Sequence, residues 1–171
     1  MGLDMYLYKR SHVPPGSLQF LKPNDKIKSE RIVYILEEVG YWRKANAVHR
    51  WFVNNIQNGI DDCGEYRVSH GKLKELLNIC IDVLSSITLS PGQVSRGYRV
   101  GQDEPFREVF VEGQIITDSS LAEKLLPTQH GPFWGPTDYD ETYYADIKHA
   151  KEILEEAIQD EHAEYYYSSS W

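Results

Sequence analysis

Near its start the chain reads Leu3-Asp4-Met5-Tyr6-Leu7-Tyr8, with an apolar residue at every odd position. Alternation of period two is the pattern of a strand, and it commits the chain to building a sheet. The next segment, HVPPGSLQFLKPND at residues 12–25, carries three prolines and a glycine and is expected to be a loop. RIVYILEEV, residues 31–39, is rich in β-branched and aromatic residues and predicts a second strand, antiparallel to the first.

Gly40 breaks that pattern and the period changes. Tyr41, Ala45, Val48, Phe52 and Ile56 recur at helical spacing, predicting an amphipathic helix to about Gln57, stopped by Asn58-Gly59. IDDCGEYRVS reads as a turn with a short extended piece. Ser69 then caps a second helix whose stripe is Leu73, Leu76, Leu77, Cys80, Val83 and Leu84. Residues 88–107 hold Pro91, Gly92, Gly97, Gly101 and Pro105 with few apolar anchors, and are expected to be a long loop. Glu108–Thr117 is read as a short strand pair about Gly113, and Asp118 or Ser119 as the cap of a short helix through Leu126. HGPFWGPTDYD reads as a packed loop. Asp140 caps a last helix with Tyr143, Ile147, Ala150, Leu154 and Ala157 on its buried face, and the β-prone tail EYYYSSSW would return as a third strand. The expectation is a single α+β domain over residues 1–171, with a small antiparallel sheet of about three strands packed against three or four helices.

A net charge of −8, with acids crowded into residues 138–164, repels phosphate backbones and anionic membranes, so non-specific nucleic-acid binding is not expected. No stretch approaches 18 apolar residues, which predicts no membrane span, and the start lacks the apolar core of a signal peptide. Two cysteines, Cys63 and Cys80, stand 17 residues apart without CxxC spacing, so reduced thiols and a cytoplasmic location are expected. The sequence has no GxSxG elbow, Walker loop, GxGxxG after a strand, HExxH or HxE…PCxxC pattern. Catalysis is therefore the less favoured class, and no cofactor is expected.

The densest chemistry lies in YWRKANAVHRWFVNN, residues 41–55. On the expected helix Trp42, Asn46 and His49 share one face at i, i+4 and i+7, flanked by Arg43 and Arg50. An indole, an amide, an imidazole and two guanidiniums suit a stacked base and a phosphate. The plainer alternative is a core helix with a hydrogen-bonded His and solvated arginines. A second cluster, Asp61, Asp62, Cys63 and Tyr66, is read first as turn and cap residues; no dense oxygen-ligand loop supports a metal. A third surrounds Phe133 and Trp134, between Gly131 and Gly135, with Asp138, Tyr139 and Asp140 following. An aromatic loop before a helix start makes half of a ligand pocket.

The opening MGLDMYLYKR, the block EEVGYWRKANAVHRWFVNNIQNGIDDC and the segment LLPT…GPFWGPTDYD…YYADIK resemble a family of small bacteriophage and prophage proteins. The family supplies no established catalytic residues. Its wording at residues 131–140 is closer to GFFFGSTEYD, so this chain departs there while keeping the two glycines and the acidic pair. Small phage accessory proteins often act against the host, and one class sequesters the nucleotide signals of bacterial immunity. What the resemblance implies is a cytoplasmic anti-defence protein that holds a small anion such as a cyclic nucleotide. Trp42 and Trp134 would stack, Asn46, His49 and Tyr139 would line the site, and Arg43 and Arg50 would meet phosphate. A homo-oligomer would supply a second wall. Two alternatives stay open: a small hydrolase or phosphodiesterase using His49 with Asp61 or Asp62, and an inhibitor that covers a host protein.

Overall fold

Leu3, Met5 and Leu7 are fully buried while Asp4, Tyr6 and Tyr8 keep partial access, so the opening alternation becomes a strand with one covered face. The computed structural model describes residues 2–18, 27–99 and 107–171. In chain order these form β1 (Asp4–His12), a 3-10 turn (Ser29–Arg31), β2 (Tyr34–Arg43), α1 (Asn46–Asn55), β3 (Glu65–Val68) and α2 (His70–Ser86). Then follow β4 (Leu89–Arg99), β5 (Arg107–Ile116), α3 (Ser120–Leu125), α4 (Glu141–Ala157) and β6 (Glu164–Ser170). The fold is α+β. One antiparallel sheet has the order β2-β1-β6-β3, and β4 and β5 pair as a separate two-stranded ribbon.

Several boundaries differ from the sequence reading. The helix expected from Tyr41 begins at Asn46, because Tyr41, Trp42 and Arg43 are held in the ladder opposite Tyr6, Met5 and Asp4. Lys44 donates its N–H to Leu3 O at 2.8 Å, extending that ladder, and turns the chain with φ 63. Asn46 N then donates to Lys44 O at 2.8 Å across Ala45 (φ −75, ψ 68), an inverse γ-turn that launches α1. The supposed loop after residue 88 is strand β4 as far as Arg99, and the strand pair about Gly113 is instead one strand, β5. Gly92 sits directly opposite Gly113 in that ribbon. A Cβ on Gly92 would come within 2.9 Å of Ile115, and one on Gly113 within 2.6 Å of Val94. Glycine and proline lower strand propensity, yet here the glycines leave room for bulky neighbours. The loop expectations for residues 19–25 and 100–106 lie outside the described residues. The extended piece after Asp62 is β3, which makes the main sheet four strands wide.

The second strand, read over residues 31–39, begins three residues later at Tyr34 and runs through Gly40 to Arg43, with Arg31 in the 3-10 turn, while the helix caps stand where the sequence put them. Ser69 Oγ accepts from Lys72 N, and Asp140 Oδ1 accepts from Thr142 N at 2.7 Å and Tyr143 N at 3.3 Å. Asp118 takes Ser120 N at 3.0 Å ahead of α3. All five residues named for the buried face of α4 are buried. The helices cover one face of the sheet, and α4 approaches β2 at Gly40, where a Cβ would stand 2.5 Å from Ile153 Cγ2. Among the described residues no helix is long and apolar enough to cross a membrane.

Candidate functional site

Strand geometry separates residues that the helical reading placed together. Trp42 points into the core, 1% exposed, with its ring 6.1 Å from that of Phe52. Arg43, next in the strand, projects from the opposite face and lies 4.0 Å from Asp4.

The remaining candidates converge on the segment between α3 and α4. Asn46 is buried at the start of α1 and holds that segment at three points. Its Nδ2 donates to Pro136 O at 2.8 Å and Trp134 O at 3.3 Å, and its Oδ1 accepts from Gln129 N at 3.0 Å. Arg50 donates to Thr128 O at 3.1 Å, and the Tyr139 hydroxyl accepts from Thr128 N at 3.3 Å. Trp134 is buried and meets His49 edge-on at 4.8 Å. Five of the seven residues thus clamp one aromatic loop to α1. The cleft beside this clamp, lined by Asn46, Thr128, Pro136, Thr142 and Asp146, has a cavity volume of about 10 Å³, room for a single water. Burial, and then the nearby Asp140, push the Asp146 carboxyl up to about 7.

His49 is fully buried and both ring nitrogens are engaged. Nδ1 stands 2.7 Å from the Tyr167 hydroxyl and Nε2 stands 2.9 Å from Asp61 Oδ2. Trp171 Nε1 donates to the other Asp61 oxygen at 3.1 Å. Burial lowers the proton affinity of the imidazole, and the hydrogen bond to Asp61 only partly offsets this. A neutral ring that donates from Nε2 to Asp61 and accepts from Tyr167 at Nδ1 satisfies every partner. Asp62 faces elsewhere and accepts from Gly64 N and the Tyr66 hydroxyl, so the two neighbouring acids do not act as a pair. Among the described residues no three His, Cys, Asp or Glu side chains gather as metal ligands.

What remains open to solvent is the outer rim of the clamp. Phe133, one residue before the buried Trp134, is 71% exposed and has φ 63, the same left-handed conformation as Lys44. The place that a Gly2 Cβ would occupy lies 3.5 Å from Lys44 Cε, 3.6 Å from Phe133 O and 4.0 Å from Arg43 Nη2, so two cations and the aromatic loop meet there. Tyr41 stands on the same sheet face as Arg43, with Tyr6 5.4 Å away and Tyr8 stacked on Tyr6 at 5.8 Å. Farther along, Arg10 covers the ring of Tyr166 at 4.2 Å and binds Glu164 at 2.9 Å. Gly131 and Gly135 announced the loop in the sequence. Nothing announced Lys44, because its role depends on a backbone angle.

The fold and the site define a helix-backed antiparallel α+β protein with an open, tyrosine-lined sheet face and a clamped aromatic loop at its edge. No family model, curated protein or solved structure matches the chain.

Proposed function

We propose that this protein binds a small nucleotide-like anion without transforming it, at the rim formed by Arg43, Lys44, Tyr41 and Phe133. The observation that carries the reading is that Lys44 and Phe133, two of the four non-glycine residues at positive φ among the described residues (the others are Asn58 and Cys63), both border this rim at φ 63. For residues other than glycine that conformation costs about 1–2 kcal/mol each, and such strain gathers where function requires a fixed side chain. Here it sets a second cation beside Arg43 and holds a ring out to solvent. Among the described residues Lys44 has no carboxylate partner, so it remains free to meet an anion. Asn46, His49, Arg50, Trp134 and Tyr139 support the rim from beneath, and Trp42 packs in the core behind it. The enclosed His49 favours binding over hydrolysis, since neither ring nitrogen is free to take a substrate proton. In the setting that the phage resemblance implies, such a protein would sequester a host immune signal.

The test is a thermal-shift screen against cyclic and linear nucleotides, followed by titration calorimetry of any hit. Arg43→Ala, Lys44→Ala and Phe133→Ala should each weaken binding at least fivefold with little loss of fold. The nucleotide recovered from the complex should be intact. A flat screen, or unchanged affinity in all three variants, sinks the proposal, and a cleaved nucleotide would make the protein a hydrolase.

A second reading, an inhibitor of a host protein, draws support from the open face, where Tyr6, Tyr8, Tyr41, Tyr166 and Arg10 match the residue types that dominate protein interfaces. It predicts a stable complex that Tyr6→Ala and Tyr8→Ala disrupt and nucleotides do not.

A further inference from the structure

The sheet face turned away from the helices already holds one cation in a defined way. Arg10 lies over the ring of Tyr166 at 4.2 Å and that of Tyr34 at 5.0 Å. It donates to Glu164 Oε2 from Nε at 3.1 Å and from Nη2 at 2.9 Å. Rings and a carboxylate around a guanidinium combine cation–π attraction with charge-assisted hydrogen bonds. The same parts recur farther along the strands. Tyr8, next to Arg10 on this face, stands opposite Glu38 of β2 and Tyr166 of β6. Tyr6 lies parallel to Tyr8 at 5.8 Å, opposite the small Ser168, and Ser168 in turn stands opposite Glu65 of β3.

Charge decides what these rings suit. Glu38 and Glu65 are exposed and, among the described residues, form no ion pair within the chain. The cations of the face are engaged elsewhere: Arg10 and Arg67 share Glu164, and Arg43 lies 4.0 Å from Asp4. Burial first, and then the charges of Glu38, Tyr6 and Glu65, raise the Tyr8 hydroxyl above its usual value, so these rings lie in a negative field. We propose that this face binds an arginine-bearing segment of a partner protein, with one guanidinium over Tyr8 beside Glu38 and a second over Ser168 between Tyr6 and Glu65. A planar guanidinium stacks on a ring while it pairs with a carboxylate, which a compact, strongly hydrated ammonium does less well. This occupant is the partner of the second reading above, on which the assignment rests, and it calls on neither Lys44 nor Phe133.

Fluorescence anisotropy of the full chain with a labelled peptide of alternating arginine and serine, at constant ionic strength, tests the assignment. The arginine peptide should bind about fivefold more tightly than its lysine counterpart, and a citrulline counterpart should not bind. Glu38→Gln and Glu65→Gln, both at the surface, should each weaken binding about fivefold without moving the melting temperature, and Tyr8→Ala should weaken it as well. Glu152→Gln, exposed on α4 at the other side of the sheet, changes the net charge equally and should leave binding as it is. An arginine peptide that does not bind overturns the proposal. So does an equal loss in Glu152→Gln, which would make the attraction one of overall charge. A host-protein complex that Tyr6→Ala and Tyr8→Ala disrupt but Glu38→Gln and Glu65→Gln leave intact also overturns it, while the inhibitor reading stands.

Discussion

Asn46 shows what one side chain does when both amide hydrogens and the amide oxygen are engaged. It joins the first turn of α1 to three backbone groups of the aromatic loop. Removing it strands buried partners, each of which costs about 1–3 kcal/mol when left unpaired. Asn46→Ala should therefore lower stability by about 3 kcal/mol in urea denaturation, and Asn46→Asp should also destabilise because a carboxylate cannot donate to Trp134 O and Pro136 O. A loss below about 1 kcal/mol would mean that the loop is held by its own packing. Asp146 governs a different response. Its folded-state value of about 7 lies above that of an unfolded aspartate, so the folded state binds the extra proton. Its contribution is complete below about pH 4 and is lost as pH rises through about 7. Asp146→Asn should accordingly raise the melting temperature at pH 8, with the gain shrinking towards pH 4. His49 works in the opposite sense: its lowered value gives stability that is present above about pH 6.5 and lost as pH falls through the folded value. The double variant of His49 and Asp146 would therefore be hard to read, and the single Asn substitution is the cleaner probe.

At the scale of elements, α4 packs close against β2, and Gly40 permits it. The extra methyl of Gly40→Ala would meet Ile153 Cγ2 at 2.5 Å, with Leu7 and Trp42 atoms at 3.3 Å closing the other sides. Overpacking of this kind costs about 1–3 kcal/mol, so the urea midpoint should fall, and pairing the change with Ile153→Ala should cost less than the sum of the two. An additive result would show that α4 shifts freely on the sheet. The same element explains how far the sequence could be read. Periodicity gave β1, α2 and α4 because each has one covered face, β6 was legible from its β-prone tyrosines, and Ser69 and Asp140 marked helix starts by their own cap chemistry. At Tyr41 periodicity misled, since residues four apart on a helix also differ by an even number in a strand, and only pairing with β1 decides between them. The β4–β5 ribbon escaped notice for another reason: the glycines and Pro91 that read as loop punctuation fit a ribbon whose opposite strand carries the bulk. Of the seven site residues, Asn46, His49, Arg50, Trp134 and Tyr139 do gather around one loop. That they face inward, and that Lys44 and Phe133 face out, depends on burial and backbone angles that no spacing rule encodes.

Across the whole molecule, the main sheet inverts the usual relation between sequence order and position. Its two interior strands, β1 and β6, are the first and the last of the chain, and the strands numbered between them hold the edges. Arg10 and Glu164, bonded across the centre, are 154 residues apart. Contacts of such separation form late, because the entropy of closing the loop must be met before they give anything back. A chain lacking residues 164–171 should keep helical signal but lose the sharp thermal transition and bind hydrophobic dyes, which circular dichroism and dye fluorescence would read; a cooperative transition in that truncation would show that β1 and β2 suffice as a template. The synthesis of this protein is thus arranged like an arch. Translation delivers the β1–β2 pair and β3 before the strand that joins them, so a nascent chain without β6 holds two unconnected parts of one sheet.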